Sequence, residues 1–170
     1  MEREPLPTIA GRNAVSPDGQ WLAIADNPKM QVVIYRLPTA ERVTVIASPP
    51  HADHIEFSQA GDEFVVASLT GVQFWETKTW RHKRTLTNFV NVFLGPDRHS
   101  AWLMKDLRTA GLYDARTATP LLPLPTDMLP IAVSRDGRHL AVRTEGQRLK
   151  LWNVAAVRTQ LRELGIDWPP

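Results

Sequence analysis

Cysteine is absent from this chain, long hydrophobic runs are absent, and neither sign of charge dominates. Without cysteine there are no disulfides, no thiol chemistry and no thiolate metal ligands. No apolar stretch approaches the roughly 20 residues that a membrane-spanning helix needs. Twenty Lys and Arg residues against 18 Asp and Glu leave a formal charge of +2, and the basic residues are scattered rather than gathered into a stripe. That distribution gives little support to nucleic-acid binding. Met1 to Leu6 is charged, with no hydrophobic stretch behind it, and does not read as a secretory signal. The expected compartment is the cytoplasm, with no membrane partner.

The composition that remains is that of a folded protein, with 43% apolar and 22% charged residues, and its 14 prolines suit short strands joined by many turns. At 170 residues the chain suits one substantial domain, so any internal repeats are expected to share a continuous core.

Repeats are present. Ser16-Pro17-Asp18-Gly19 returns as Ser58-Gln59-Ala60-Gly61, as Gly95-Pro96-Asp97-Arg98 and as Ser134-Arg135-Asp136-Gly137, at offsets of 42, 37 and 39 residues. An aromatic residue ending a second apolar run keeps step at Tyr35, Trp75, Tyr113 and Trp152, at offsets of 40, 38 and 39. Two coupled markers with a period of about 40 predict an all-β array of propeller blades, each of four short strands.

Each unit reads as strand, turn, strand, turn, a third strand ending in the aromatic, and a more polar fourth strand. Second and third strands fall at Leu22–Ala25 and Val32–Tyr35, at Phe64–Ala67 and Val72–Trp75, at Ala101–Met104 and Gly111–Tyr113, and at Leu140–Val142 and Leu149–Trp152. These runs scarcely alternate, as expected of strands buried on both faces between stacked sheets. Asp side chains at the first turn bond to the backbone two residues on, and Gly19, Gly61 and Gly137 supply the left-handed φ that closes it. Arg98 in the third unit implies a different turn. Trp75 and Trp152 are read as core, and Trp21, Trp80 and Trp102 as less constrained.

From about Asn13 to Trp152 these features resemble the WD40-repeat β-propeller family, with Tyr35-Arg36, Trp75-Glu76, Tyr113-Asp114 and Trp152-Asn153 at the place of the family's Trp-Asp pair. The ending beyond Trp152 resembles that of planctomycete-type bacterial WD40 proteins, many of which carry a serine/threonine kinase domain upstream. Its residues read as a helix capped by Asn153, with Val154, Val157, Leu161 and Leu164 on one stripe and a stop at Gly165, after which Ile166 and Trp168 fold back.

The expected division is an N-terminal segment over 1–12, four blades over 13–50, 51–87, 88–125 and 126–153, and a helix and tail over 154–170. The fourth unit lacks an outer strand because the helix begins in its place. The resemblance implies that Pro5–Ala10 supplies that strand. Four blades leave open a closed four-bladed ring, a homodimer completing eight blades, or the end of a longer parent protein.

Acids, bases and nucleophiles do not gather at any recognisable catalytic spacing. His51, Asp53 and His54 lie within four residues but lack a fourth ligand for a structural metal site. The expectation is no catalytic, cofactor-binding or metal-binding residue, and no cofactor. Trp80, Arg81, His82 and Arg84, with Lys83, form the densest basic cluster, a candidate interface and equally the charged outer strand of a blade. The leading functional expectation is a non-enzymatic scaffold that binds a protein or peptide. The alternative that the resemblance implies is a sensor or regulatory segment of a bacterial serine/threonine kinase.

Overall fold

In the computed structural model, residues 12–167 are described. The fold is all-β, built from four antiparallel propeller-type sheets and one short C-terminal helix. The first sheet runs in the order β1 (Asn13–Val15), β2 (Trp21–Asp26), β3 (Gln31–Arg36), β4 (Glu41–Ala47). The second repeats that order with β5 (His54–Phe57), β6 (Glu63–Ser68), β7 (Gly71–Glu76) and β8 (Arg81–Leu86). The third does so with β9 (Asn91–Leu94), β10 (Ser100–Met104), β11 (Ala110–Asp114) and β12 (Pro120–Pro123). The fourth has three strands, β13 (Leu129–Val133), β14 (His139–Arg143) and β15 (Leu149–Asn153), and runs straight into helix α1 (Val154–Glu163). The supposed closing strand Pro5–Ala10 and the residue Trp168 lie outside the described residues.

The chain divides into two compact units, Met1–Thr87 and Asn88–Pro170, each holding two sheets. Each unit holds a cluster of buried residues between its own two sheets. In the first unit Ala23, Ala25, Val32, Ile34 and Ile46 of one sheet meet Ile55, Phe57, Phe64 and Val66 of the next. In the second, Trp102, Met104, Ala110 and Leu112 meet Leu129, Leu140 and Val142. Strands β6, β10 and β11 are buried along almost their whole length, because apolar groups on both faces each find a covering surface. Strand β15 does not follow. Leu149 and Leu151, expected to be buried like their counterparts, are exposed because no further sheet covers that face among the described residues.

The repeated turn is built as its chemistry requires. The Ser16, Ser58 and Ser134 hydroxyls accept from the backbone N–H five residues on, at Trp21, Glu63 and His139. The Gly19, Gly61 and Gly137 N–H groups donate to those same serines' carbonyls at 2.8–2.9 Å. Asp18 and Asp136 also accept from the N–H two residues on, at Gln20 and Arg138. The third turn is indeed different: Asp97 accepts from both His99 and Ser100 N–H groups, and Arg98 is not among the positive-φ residues.

This turn also spaces the sheets. Pro17 of the first sheet lies 3.9 Å from where a Cβ on Gly61 would stand, and Pro96 of the third presses to 2.6 Å of the same point on Gly137. Gly137 therefore answers two demands, a φ of +68° and the absence of a side chain against Pro96, whereas Gly19 has a φ of +70° and open space around it. Gly19→Ala is expected to cost about 1–2 kcal/mol from the left-handed conformation alone. Gly137→Ala is expected to cost a further ~1–3 kcal/mol from overpacking. Urea midpoints of the two variants check this, and equal midpoints would mean that the Pro96 contact yields freely.

Candidate functional site

Most residues singled out by the sequence turn out to hold the sheets rather than face a ligand. Asp18, Asp97 and Asp136 are occupied by the turns, and hydrogen bonds from Ser16 and Ser134 hold the Asp18 and Asp136 carboxyls below their ordinary pKa. Tyr35 and Tyr113 are buried, the latter edge-on to Phe89 at 5.2 Å. Trp75 and Trp152, expected as full core, are only half-buried. Each packs on the margin of its cluster, one residue before the end of its strand. Trp102, read as less constrained, is buried in the second unit's core.

Trp80 is the least expected of these placements. It occupies the left-handed region with a φ of +54°, at the turn where the first and third blades have Ala40 at +57° and Ala118 at +59°. Its indole is half-buried and meets Trp21, Phe57 and Phe64 at 5.8, 6.3 and 6.0 Å in edge-to-face geometry. A bulky residue in that conformation is an outlier that surrounding packing must hold in place. Trp80 is a staple between the first two sheets, not a free anchor. Aligning the repeats exposes it: Trp stands where the other turns have Ala.

The basic strand that follows is likewise engaged on its own sheet. The Arg84 guanidinium lies 3.8 Å from the Phe74 ring centroid and donates to Glu63 at 3.1 Å, and Lys83 pairs with the same carboxylate. His82 stacks edge-on to Trp75 at 5.2 Å and bonds Thr85 at 2.9 Å. Arg81 is exposed. His51 and Asp53 are exposed, His54 lies 3.4 Å from Glu56, and among the described residues no three His, Asp or Glu side chains converge on a metal position.

Among the described residues, cavities open at opposite ends of the second unit's paired sheets. One, of about 180 Å³, has an apolar floor of Trp102, Leu112, Val133 and Val154 and a rim that includes Asp97, Asp136, Arg138 and Arg158. The other, of about 720 Å³, lies among the β10–β11 and β14–β15 turns and the segment before β13. It is lined by Arg108, Thr109, Thr126, Asp127, Arg143 and Glu145. Neither was visible in the sequence, because their walls come from segments tens of residues apart. Helix α1 borders the smaller cavity. Asn153 caps it by accepting from the Ala156 N–H at 2.9 Å, and Val154 and Leu161 pack on the sheet. Leu164 and Ile166, expected to pack there too, are exposed, because the chain turns away at Gly165, whose φ is +72°. Asp167 is held instead by Arg158 and Arg162 at 3.1 and 3.4 Å. Among the described residues no helix is long and apolar enough to cross a membrane.

Two outcomes follow from these placements. Trp80→Ala removes three aromatic contacts worth about 0.5–1.5 kcal/mol each, so the first unit's urea midpoint falls well below that of Arg81→Ala, which stays at the wild-type value. For Glu63, burial would raise the carboxyl, but hydrogen bonds from Lys83 and Arg84 outweigh it and hold the pKa below the usual 4.5. A depressed carboxylate stabilises the fold above its unfolded pKa and loses that contribution as pH falls through the folded value. Wild type therefore loses more stability than Glu63→Gln when pH falls below 4.5, read by urea titration at each pH.

No family model and no curated protein sequence matches the chain. Solved structures do. A chain of Kuenenia stuttgartiensis hydrazine synthase superposes with a TM-score of 0.71 at 14% identity, over 91% of this chain and 49% of that one. The dihydro-heme d1 dehydrogenase NirN, in complex with DHE, superposes with a TM-score of 0.65 at 17% identity, over 86% of this chain and 35% of that one. The present chain thus spans about half and about a third of the lengths it resembles, and at such identities the likeness carries the propeller-type fold alone.

Proposed function

We propose that the chain is a non-enzymatic interaction module of WD40-like propeller blades, which holds a protein or peptide partner on a rigid all-β platform, in the cytoplasm. One observation carries this reading. The polar side chains that recur with the repeat are consumed by turn geometry, whereas the turns at the opposite strand ends of the second unit surround a groove of about 720 Å³. That groove presents Arg108 and Arg143 beside Asp127 and Glu145, with three threonines between them. Interleaved charges and hydroxyls suit the backbone and mixed side chains of an extended peptide better than a single small ligand of one sign. Loops fixed by stiff sheets supply such a surface without any reacting group.

The test is a defined peptide library displayed against the purified chain, with Arg143→Glu and Asp127→Arg as paired controls. Selected peptides are expected to bind wild type and to lose about tenfold or more in affinity on both variants. Peptides that bind the variants as well as wild type would remove the groove from consideration, and hydrolysis of a selected peptide would overturn the non-enzymatic reading.

A further inference from the structure

The smaller cavity of the second unit lies where the first unit has an aromatic side chain of its own. Strand registers align the two units: Ser100 pairs with Asp114 as Trp21 pairs with Arg36, and Val133 pairs with Leu140 as Phe57 pairs with Phe64. In the first unit Trp21, Phe57 and Phe64 surround the Trp80 indole. In the second, Ser100 and Val133 line the cavity, and Ser100, Val133 and Leu140 are each smaller than the ring they replace. Trp80 stands five residues beyond Trp75, whereas the residue five beyond Trp152 is Val157, inside helix α1. The helix therefore takes the place of the turn that would deliver a ring. Trp102, at the register position of Ala23, fills part of the space from below and leaves about 180 Å³. A cavity of roughly 150 Å³ accommodates benzene and drug-sized ligands need roughly 300 Å³ or more, so the remaining space suits a single aromatic ring.

The rim supplies two charges that the fold does not consume. Asp97 accepts from the His99 and Ser100 N–H groups through one oxygen and from the Ser100 hydroxyl through the other. Arg158 is paired with Asp167. Asp136 and Arg138 differ. Asp136 takes its hydrogen bonds, from the Ser134 hydroxyl and the Arg138 N–H, at Oδ1, so Oδ2 accepts from none of the described residues. Those same bonds lower its pKa, and the carboxyl is anionic at neutral pH. The Arg138 side chain is exposed, and its guanidinium pairs with no carboxylate among the described residues. An anion and a cation two residues apart, beside an apolar floor, match the ammonium and carboxylate of an α-amino acid. We infer that this cavity is a binding site for a free aromatic amino acid, with its ring on Trp102 and Val133, its ammonium on Asp136 and its carboxylate on Arg138. A ligand of one sign meets repulsion from one of the two groups, which selects against simple aryl acids and aryl amines. A residue within a peptide lacks both charges, and the cavity shares no lining residue with the peptide groove, so the inference is independent of that site.

Isothermal titration calorimetry of the full 170-residue chain with L-phenylalanine tests it. One-to-one binding is expected, and L-alanine, which has no ring, gives none. N-acetylphenylalanine and phenylalaninamide each bind about tenfold or more weakly, since each loses one charge-assisted contact. Ala155→Leu, which fills the cavity from the first turn of α1, abolishes binding while the circular dichroism stays that of wild type. Arg138→Gln weakens phenylalanine by about tenfold or more but leaves phenylalaninamide unchanged, a difference that a merely loosened turn does not produce. Absence of binding up to about 10 mM phenylalanine overturns the inference, as does binding indifferent to Ala155→Leu. Equal affinity for N-acetylphenylalaninamide overturns the assignment of a free amino acid.

Discussion

The structure depends on sheets that are apolar on both faces, each packed against its neighbour within its own unit. Burying a Val, Leu, Ile or Phe side chain is worth about 1.5–3 kcal/mol, and the central strands of the first three sheets carry such residues on both sides. A sheet of this kind has no stable existence in isolation, because half its apolar surface would face water. Its partner is part of its folding free energy, so stability is shared between neighbours rather than held within one blade. The devices found at the ends of the strands serve that contact. The serine and aspartate turns fix the hairpin, Pro96 against Gly137 sets how closely two sheets approach, and Trp80 fills the space beside Trp21.

Seen from that requirement, the absence of alternation in the sequence is the most telling local signal. Val32-Val33-Ile34-Tyr35 and Phe64-Val65-Val66-Ala67 declare two-sided burial, and both are buried throughout. The turn chemistry was equally readable, since Ser, Asp and Gly at fixed offsets act through bonds only a few residues long. Asn153 as a helix cap belongs to the same class of local cause.

What the sequence concealed depends on neighbours distant along the chain. Leu149-Lys150-Leu151 has the apolar character of a covered strand, but a linear pattern states what a face requires and not whether a second sheet meets it. Trp102 is buried within its cluster whereas Trp75 packs only on the margin of its own, a difference that lies in their neighbours and not in the strand pattern. The cavities were hidden for the same reason, because their linings combine turns from different hairpins. Basic Arg81–Arg84 looked like one patch in sequence, yet Lys83 and Arg84 close on Glu63 and Arg84 lies over Phe74, while Arg81 faces solvent.

The departure of the last sheet from its predecessors has a cause in a few residues. After the third-strand aromatic the first three blades make a turn with a left-handed residue, at Ala40, Trp80 or Ala118, and return as a fourth strand. After Trp152 the Asn153 side chain accepts the Ala156 N–H, and the run Val154-Ala155-Ala156-Val157 continues as helix. Val154 and Leu161 then tie the helix to the inner cluster around Trp102 and Leu140. Helix and fourth strand are alternatives at this point, since the same backbone groups cannot form both. By taking the helix, the chain leaves β15 as the last strand of its sheet among the described residues, so the free edge is specified by a local capping choice, whereas Leu149 and Leu151 are exposed because no following sheet covers their face there.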